Sequence, residues 1–218
     1  MKYIIMCGGD YRQWETPRHL TKICGEEIIA RTIRLLRENG VQDISISSTN
    51  PAFDGFGVPR LEHKNEYNER DYNDFDGYWC DAFYPVNEPV CYIFGDVIFS
   101  PEAIKTIVEY KTDDIMLFGS RAPFAPEYPK IYREPFAFKV TDTEHLKRAI
   151  ERTKELDDQR RFKRRAIAWE LWAVICNVKL KRAYARYEAI NDYTCDIDFP
   201  EEVEKVLKYI GEIANGKI

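Results

Sequence analysis

Met1-Lys2-Tyr3-Ile4-Ile5-Met6-Cys7-Gly8-Gly9 is the stretch whose reading decides the fold. The apolar run is short and stops at a glycine pair, which predicts a first β-strand over residues 3–7 rather than a signal peptide. A polar loop follows from Gly8 to about Arg18. Residues 26–39 then place Ile28, Ile29, Thr32, Ile33, Leu35 and Leu36 on one helical face. Gly40 supplies the C-terminal cap. Residues 44–48 read as a second strand, short and alternating, and 58–61 as a weaker third. The stretch 63–77, crowded with Asn, Asp, Glu and Tyr, reads as a long loop.

Residues 78–84 suit a short helix, and the β-branched and aromatic run 90–94 a central strand ending at Gly95-Asp96. Ser100-Pro101-Glu102 carries the N-cap hydroxyl, the first-turn proline and the first-turn acid of another helix. Further strands are expected at 115–119 and 136–140. Helices are expected at 141–155, at 167–175 (apolar and buried) and at 200–214. Alternation of this kind predicts an α/β sandwich with a largely parallel sheet. Neither a repeat nor a linker divides it, so residues 1–218 are read as one domain.

Composition narrows the function. The chain has 218 residues, 44% of them hydrophobic, enough to bury a full core. No apolar run is long enough to span a bilayer, and a cytoplasmic protein is expected. A net charge of −5 offers no global attraction to nucleic acid. The basic cluster Arg160-Arg161 with Lys163-Arg164-Arg165 reads as a solvated face, with a landing site for an anionic substrate as the alternative. Six cysteines without a CxxC pair predict neither disulfides nor zinc, and His19, His63 and His145 lack metal spacing. A G-x-S-x-G elbow is missing, so chemistry by His, Cys or Ser is not expected.

Three constellations remain. Gly8-Gly9-Asp10-Tyr11-Arg12 through Thr16-Pro17-Arg18 joins a close-approach turn to two guanidinium forks suited to phosphate oxygens, or else is a plain loop. Phe94-Gly95-Asp96-Val97 ends the central strand, at the sheet edge where ligands of α/β proteins gather. A carboxylate there can hold Mg²⁺ beside phosphates, or cap a turn before Ser100. Cys195-Asp196-Ile197-Asp198-Phe199-Pro200-Glu201-Glu202 crowds acids before a helix, either for capping or around a metal.

Taken together and in order, these residues resemble the nucleoside-triphosphate transferase family, which includes sugar-phosphate nucleotidylyltransferases, phosphocholine cytidylyltransferases and MobA-like enzymes. The matching positions are Gly8-Gly9, Arg12, Pro17-Arg18, Leu20, Ile23, Gly25, Gly95-Asp96 and Asp198-Phe199-Pro200-Glu201-Glu202. Two departures stand out. Asp10-Tyr11 replaces a further family glycine, and the family lysine after proline is Arg18, leaving Lys22 to share its role.

The resemblance implies a three-layer α/β/α sandwich with a mostly parallel mixed sheet, a Rossmann-like, GT-A-like fold. It implies transfer of NMP from an NTP to a small phosphorylated acceptor, with release of pyrophosphate. Asp96 and Asp198 would hold Mg²⁺, with Asp196 in reserve. Arg12, Arg18 and Lys22 would neutralise the phosphates, and Cys7, Gly8, Gly9, Asp10, Arg12 and Gly95 would lie against the nucleotide. The run Trp169, Glu170 and Trp172 could cage a quaternary ammonium, although its helical spacing also suits core packing, so a sugar 1-phosphate stands beside phosphocholine as acceptor. Neither nucleic acid nor membrane is an expected partner. The competing readings are a glycosyltransferase of the related fold and a non-catalytic nucleotide-binding module.

Overall fold

The computed structural model describes residues 1–8, 14–64, 77–121 and 133–214. In chain order the strands are β1 (Lys2–Met6), β2 (Lys22–Ile23), β3 (Glu26–Glu27), β4 (Ile44–Ser47), β5 (Arg60–Leu61), β6 (Val90–Phe94), β7 (Val97–Ile98), β8 (Ile115–Ser120), β9 (Pro135–Val140), β10 (Glu188–Ile190) and β11 (Cys195–Asp196). The helices are α1 (Ile28–Glu38), α2 (Pro101–Glu109), α3 (Thr143–Asp158), α4 (Ala168–Ile175), α5 (Leu180–Ala183) and α6 (Glu202–Ala214). Among the described residues, seven strands form the main sheet in the order β10-β8-β9-β6-β1-β4-β5. Only β9 runs against its neighbours, so the sheet is mixed but mostly parallel.

The period-2 alternation of β1 feeds two cores at once. Tyr3, Ile5 and Cys7 pack with Ile44, Ile46, Cys91 and Ile93 beneath Ile29, Ile33 and Leu36 of α1 and Ile104 and Ile107 of α2. Ile4 and Met6 pack with Tyr92, Phe138 and Val140 beneath Leu146 and Ala149 of α3 and Trp169, Leu171 and Trp172 of α4. The result is the expected three-layer sandwich, and a central strand buried on both faces has to be apolar throughout. In β4 the alternating sequence does not give one wet face. Ser45 and Ser47 are as buried as Ile44 and Ile46, because the sheet is covered on both sides there.

Local chemistry sets the helix ends. Ser100 Oγ accepts from the Ala103 amide at 2.9 Å, and Asp142 Oδ1 from the His145 amide at 2.8 Å. Gly40, at φ +81°, takes the left-handed turn that ends α1. Expected helix boundaries move inward at both chain ends. Glu26 and Glu27 join Lys22 and Ile23 in a hairpin before α1, and α6 starts at Glu202 rather than Pro200.

That hairpin, β7, β11 and α6 share a third core of Ile23, Ile28, Ile98, Cys195, Ile197 and Val206. β7 pairs antiparallel with β11, Val97 facing Asp196 and Ile98 facing Cys195. This small sheet fastens β11 and the α6 that follows it to the end of β6.

The basic cluster departs from a solvated face at its C-terminal end. Arg165 is buried and donates to Asp157 Oδ2 at 3.0 Å and to the Gly77 carbonyl. Arg164 lies 3.5 Å from Glu170. Among the described residues, no helix is long and apolar enough to cross a membrane.

Breaking a buried ion pair from one side strands the other charge. Asp157→Ala should therefore cost about 3–5 kcal/mol in urea unfolding, against less than about 1 kcal/mol for Arg34→Ala, whose partners Glu26 and Glu38 are on the surface. Equal costs would contradict this account.

Candidate active site

Parallel pairing carries the C-terminal ends of β1, β4 and β6 to one edge of the sheet, where Cys7-Gly8, Ser48 and Gly95-Asp96 follow in turn. A cavity of about 350 Å³ opens there, with Cys7, Gly8, Trp14, Arg18, His19 and Ser48 in its wall. Its position is the one an open α/β sheet gives a ligand.

Arg18 is the centre of the site. Pro17 precedes it, and the 3-10 turn Arg18–Leu20 turns its side chain inward until the residue is only 5% exposed. Its Nη2 donates to Asp96 Oδ2, while Nη1 donates to Asp198 Oδ1 at 3.0 Å and to the Ile197 carbonyl at 3.3 Å. The two acids are together because the Ile197 amide donates to the Asp96 carbonyl at 3.2 Å, continuing the β7–β11 pairing.

Asp198 is then fixed from both sides. Trp14 Nε1 donates to its carbonyl at 3.0 Å, and its amide donates to Glu202 Oε2 at 2.8 Å. Glu202 thus reaches back over the start of the helix, its carboxylate accepting also from the Phe199 amide at 3.2 Å.

Beside Arg18, His19 and Cys7 are held neutral. Burial, and next the neighbouring Arg18 charge, push the His19 imidazole down to about 3. Burial, and next Asp96, push the Cys7 thiol well up, with Arg18 opposing. His19 stands edge-on to Phe53 at 5.6 Å. Gly95 fits only because it lacks a side chain. A Cβ there would meet Cys7 Sγ at 2.6 Å, the Met6 carbonyl oxygen at 2.7 Å and His19 Cδ2 at 3.0 Å. The need for glycine at 95 therefore comes from close packing of the ends of β1 and β6.

The remaining expected residues fall into three groups. Gly9, Asp10 and Arg12 lie outside the described residues. Lys22 sits on the β2–β3 hairpin with its side chain 64% exposed, 3.5 Å from Glu27 and away from the cavity wall. Asp196 lies in β11 opposite Val97, its amide 3.4 Å from Glu134 Oε2.

Trp169, Glu170 and Trp172, expected at the acceptor, are each 3% exposed within α4. Trp169 packs on Tyr184 and Tyr187 at 5.1 and 5.0 Å, and Trp172 against Phe138 at 6.4 Å. Glu170 Oε2 accepts from the Ile167 amide at 3.2 Å. The neighbouring aromatic surface already has a cation, Arg133, whose guanidinium carbon lies 4.9 Å from the Tyr184 ring centre.

Sequence reading missed His19, the Ser48-Thr49-Asn50 segment and the buried Glu134. The strand-end rule, applied to β4 as it was to β6, would have found Ser48-Thr49-Asn50. Glu134 has no such signal, since it is placed by a bulge at Phe118/Gly119 where a side chain on Gly119 would lie 2.4 Å from the Glu134 carbonyl oxygen.

Two outcomes test this site. Gly95→Ala should lose about 1–3 kcal/mol in denaturant unfolding, because the opposing carbonyl cannot move aside. His19 is protonated in the unfolded chain below its ordinary 6.5 but not in the folded one until about 3, so its contribution is complete above 6.5 and lost as pH falls. Between pH 7 and ~5 the wild type should lose about 2 kcal/mol more than His19→Gln, a difference absent if His19 were charged when folded.

No protein-family model and no curated protein matches the chain. Solved structures do. A protein assigned as a glucose-1-phosphate thymidylyltransferase from Bacillus anthracis, in complex with sucrose, is 18% identical, with a TM-score of 0.57 over 95% of this chain and 94% of that one. The inositol-1-phosphate CTP transferase from T. maritima is 15% identical, with a TM-score of 0.53 over 97% and 96%. HddC from Yersinia pseudotuberculosis, complexed with GMP-PN, is 15% identical, with a TM-score of 0.53 over 96% and 99%. What is shared at these identities is the fold, and over nearly its whole length this chain has the α/β fold of those structures.

Proposed function

We propose that this chain is a nucleotidyltransferase, moving NMP from an NTP to a small phosphorylated acceptor. The observation that carries this reading is the meeting of Asp96, Asp198 and Arg18 at the carboxyl edge of the sheet, beside a cavity of about 350 Å³. Two carboxylates with phosphate oxygens and water form a donor set suited to magnesium, and the resemblance keeps Asp196, two residues before Asp198, in reserve. When bound, the metal supplies positive charge to the α-phosphate and to the departing pyrophosphate. Everything else falls to the chain.

In the proposed reaction an acceptor phosphate oxygen forms a bond to the α-phosphorus while the bond from that phosphorus to the β-phosphate bridge oxygen breaks. Pyrophosphate leaves with the electron pair. An ionised phosphate oxygen needs no general base, which accords with His19 and Cys7 being held neutral. Cys7 and Gly8 line the nucleotide side of the cavity, with Gly9, Asp10 and Arg12 assigned there by the resemblance. Arg18, buried at the acids, fits the position of the family lysine better than the exposed Lys22.

The acceptor class follows from what α4 does not offer. Trp169 and Trp172 are packed inside, and the ring of Tyr184 already carries Arg133, so the cation cage that phosphocholine would use is filled from within. A sugar or polyol phosphate suits the site better, and two of the similar structures are those of proteins named for glucose-1-phosphate and inositol-1-phosphate.

Pyrophosphate release across the four NTPs and a panel of acceptor phosphates tests the reading. One nucleotide should give turnover with a sugar or polyol phosphate, and Asp96→Ala or Asp198→Ala should lower kcat at least ~10³-fold. Turnover of a nucleotide sugar without pyrophosphate would make the protein a glycosyltransferase. Nucleotide binding with no turnover on any acceptor would make it a binding module.

A further inference from the structure

The gap between Asp96 and Asp198 already holds a cation, and it belongs to the chain. Arg18 gives one guanidinium nitrogen to each carboxylate, and a third contact, to the Ile197 carbonyl at 3.3 Å, holds the fork in that plane. Arg18 is only 5% exposed and the Asp96 side chain 14%, so that pair acts strongly on itself, while the Asp198 side chain, at 32%, is the side open to solvent. Bringing a divalent ion to the same oxygens while the guanidinium stays would set cation against cation at close range.

Arg18 has somewhere else to go. The same residue lines the 350 Å³ cavity, alongside Cys7 and Gly8. A guanidinium ends a long side chain with several rotatable bonds, so a change of partner does not require the backbone that carries it to move. A polyphosphate in that cavity repays the lost carboxylate contacts with phosphate oxygens, which a guanidinium binds in the same two-pronged manner.

We propose that Arg18 and a divalent cation are alternative occupants of the gap between Asp96 and Asp198, so that the site accepts the ion together with a nucleoside triphosphate and resists it alone. The inference rests on the reading of Asp96 and Asp198 as metal ligands. It goes beyond that reading by making Arg18 the residue that couples metal affinity to nucleotide, and so guards the site against free metal.

Calorimetric titration of the whole protein with Mn²⁺ tests it without turnover. Nucleotide-free Arg18→Gln should bind Mn²⁺ at least ~10-fold more tightly than nucleotide-free wild type, a gain of the size seen between coupled sites, and Asp96→Asn in the Arg18→Gln background should remove that gain. Arg18→Lys keeps the charge but lacks the fork that gives each acid its own nitrogen, so it should fall between the two, and it carries the comparison if Arg18→Gln does not fold. Equal Mn²⁺ affinity in wild type and both variants overturns the coupling while leaving the acids as ligands. Absence of Mn²⁺ binding from every form, even with the four α,β-methylene nucleoside triphosphates present, overturns the metal site itself and the proposed function with it.

Discussion

The structure turns on one buried charge. Arg18 reaches across 180 positions of sequence to Asp198 and in the same plane to Asp96, so the start, middle and end of the chain meet at a single guanidinium. Two carboxylates brought this close repel one another unless a cation lies between them, and the fold provides it from the 3-10 turn that carries Arg18. Remove that cation and the β7–β11 pairing, the Ile197–Asp96 backbone bond and the Glu202 cap are left to hold two like charges together.

Around this charge the rest of the fold works as a frame. A central strand whose side chains alternate into two cores has no freedom to shift register, because a slip of one residue exchanges the layers. The cavity edge is therefore fixed by the same packing that fixes the sheet. Gly95 shows how tight that coupling is, since the end of β6 approaches β1 more closely than any side chain allows. Site and core are one construction, and a substitution that loosens either loosens both.

Arginine recurs where a ligand cation was expected. Arg18 lies between the acids, and Arg133 over the Tyr184 ring in the aromatic surface beside Trp169. A guanidinium is planar, weakly hydrated and always charged, and so it can be buried against carboxylates or rings more readily than an ammonium. On the proposed function, the first case is a site that a polyphosphate would open. The second places a cation of the chain itself on the Tyr184 ring, which on the same proposal speaks for a sugar or polyol phosphate as acceptor.

Much of the fold was legible from residue pattern alone. The short apolar run 3–7, the β-branched and aromatic run 90–94, the apolar face of 28–36 and the capping chemistry at Ser100 and Gly40 are local signals, decided by residues that touch their neighbours in sequence. The motifs Gly95-Asp96 and Asp198 to Glu202 likewise named two segments that the structure brings together at Arg18. What stayed hidden was every contact between distant segments: the β7–β11 pairing, the burial of Trp169 and Trp172, the inward turn of Arg165, and Arg18 in the gap between two aspartates. Hydrophobic period and caps act over a turn or two of chain. Which cation faces which carboxylate is settled only when three layers have packed and the dielectric around the pair has fallen, and that belongs to the tertiary structure.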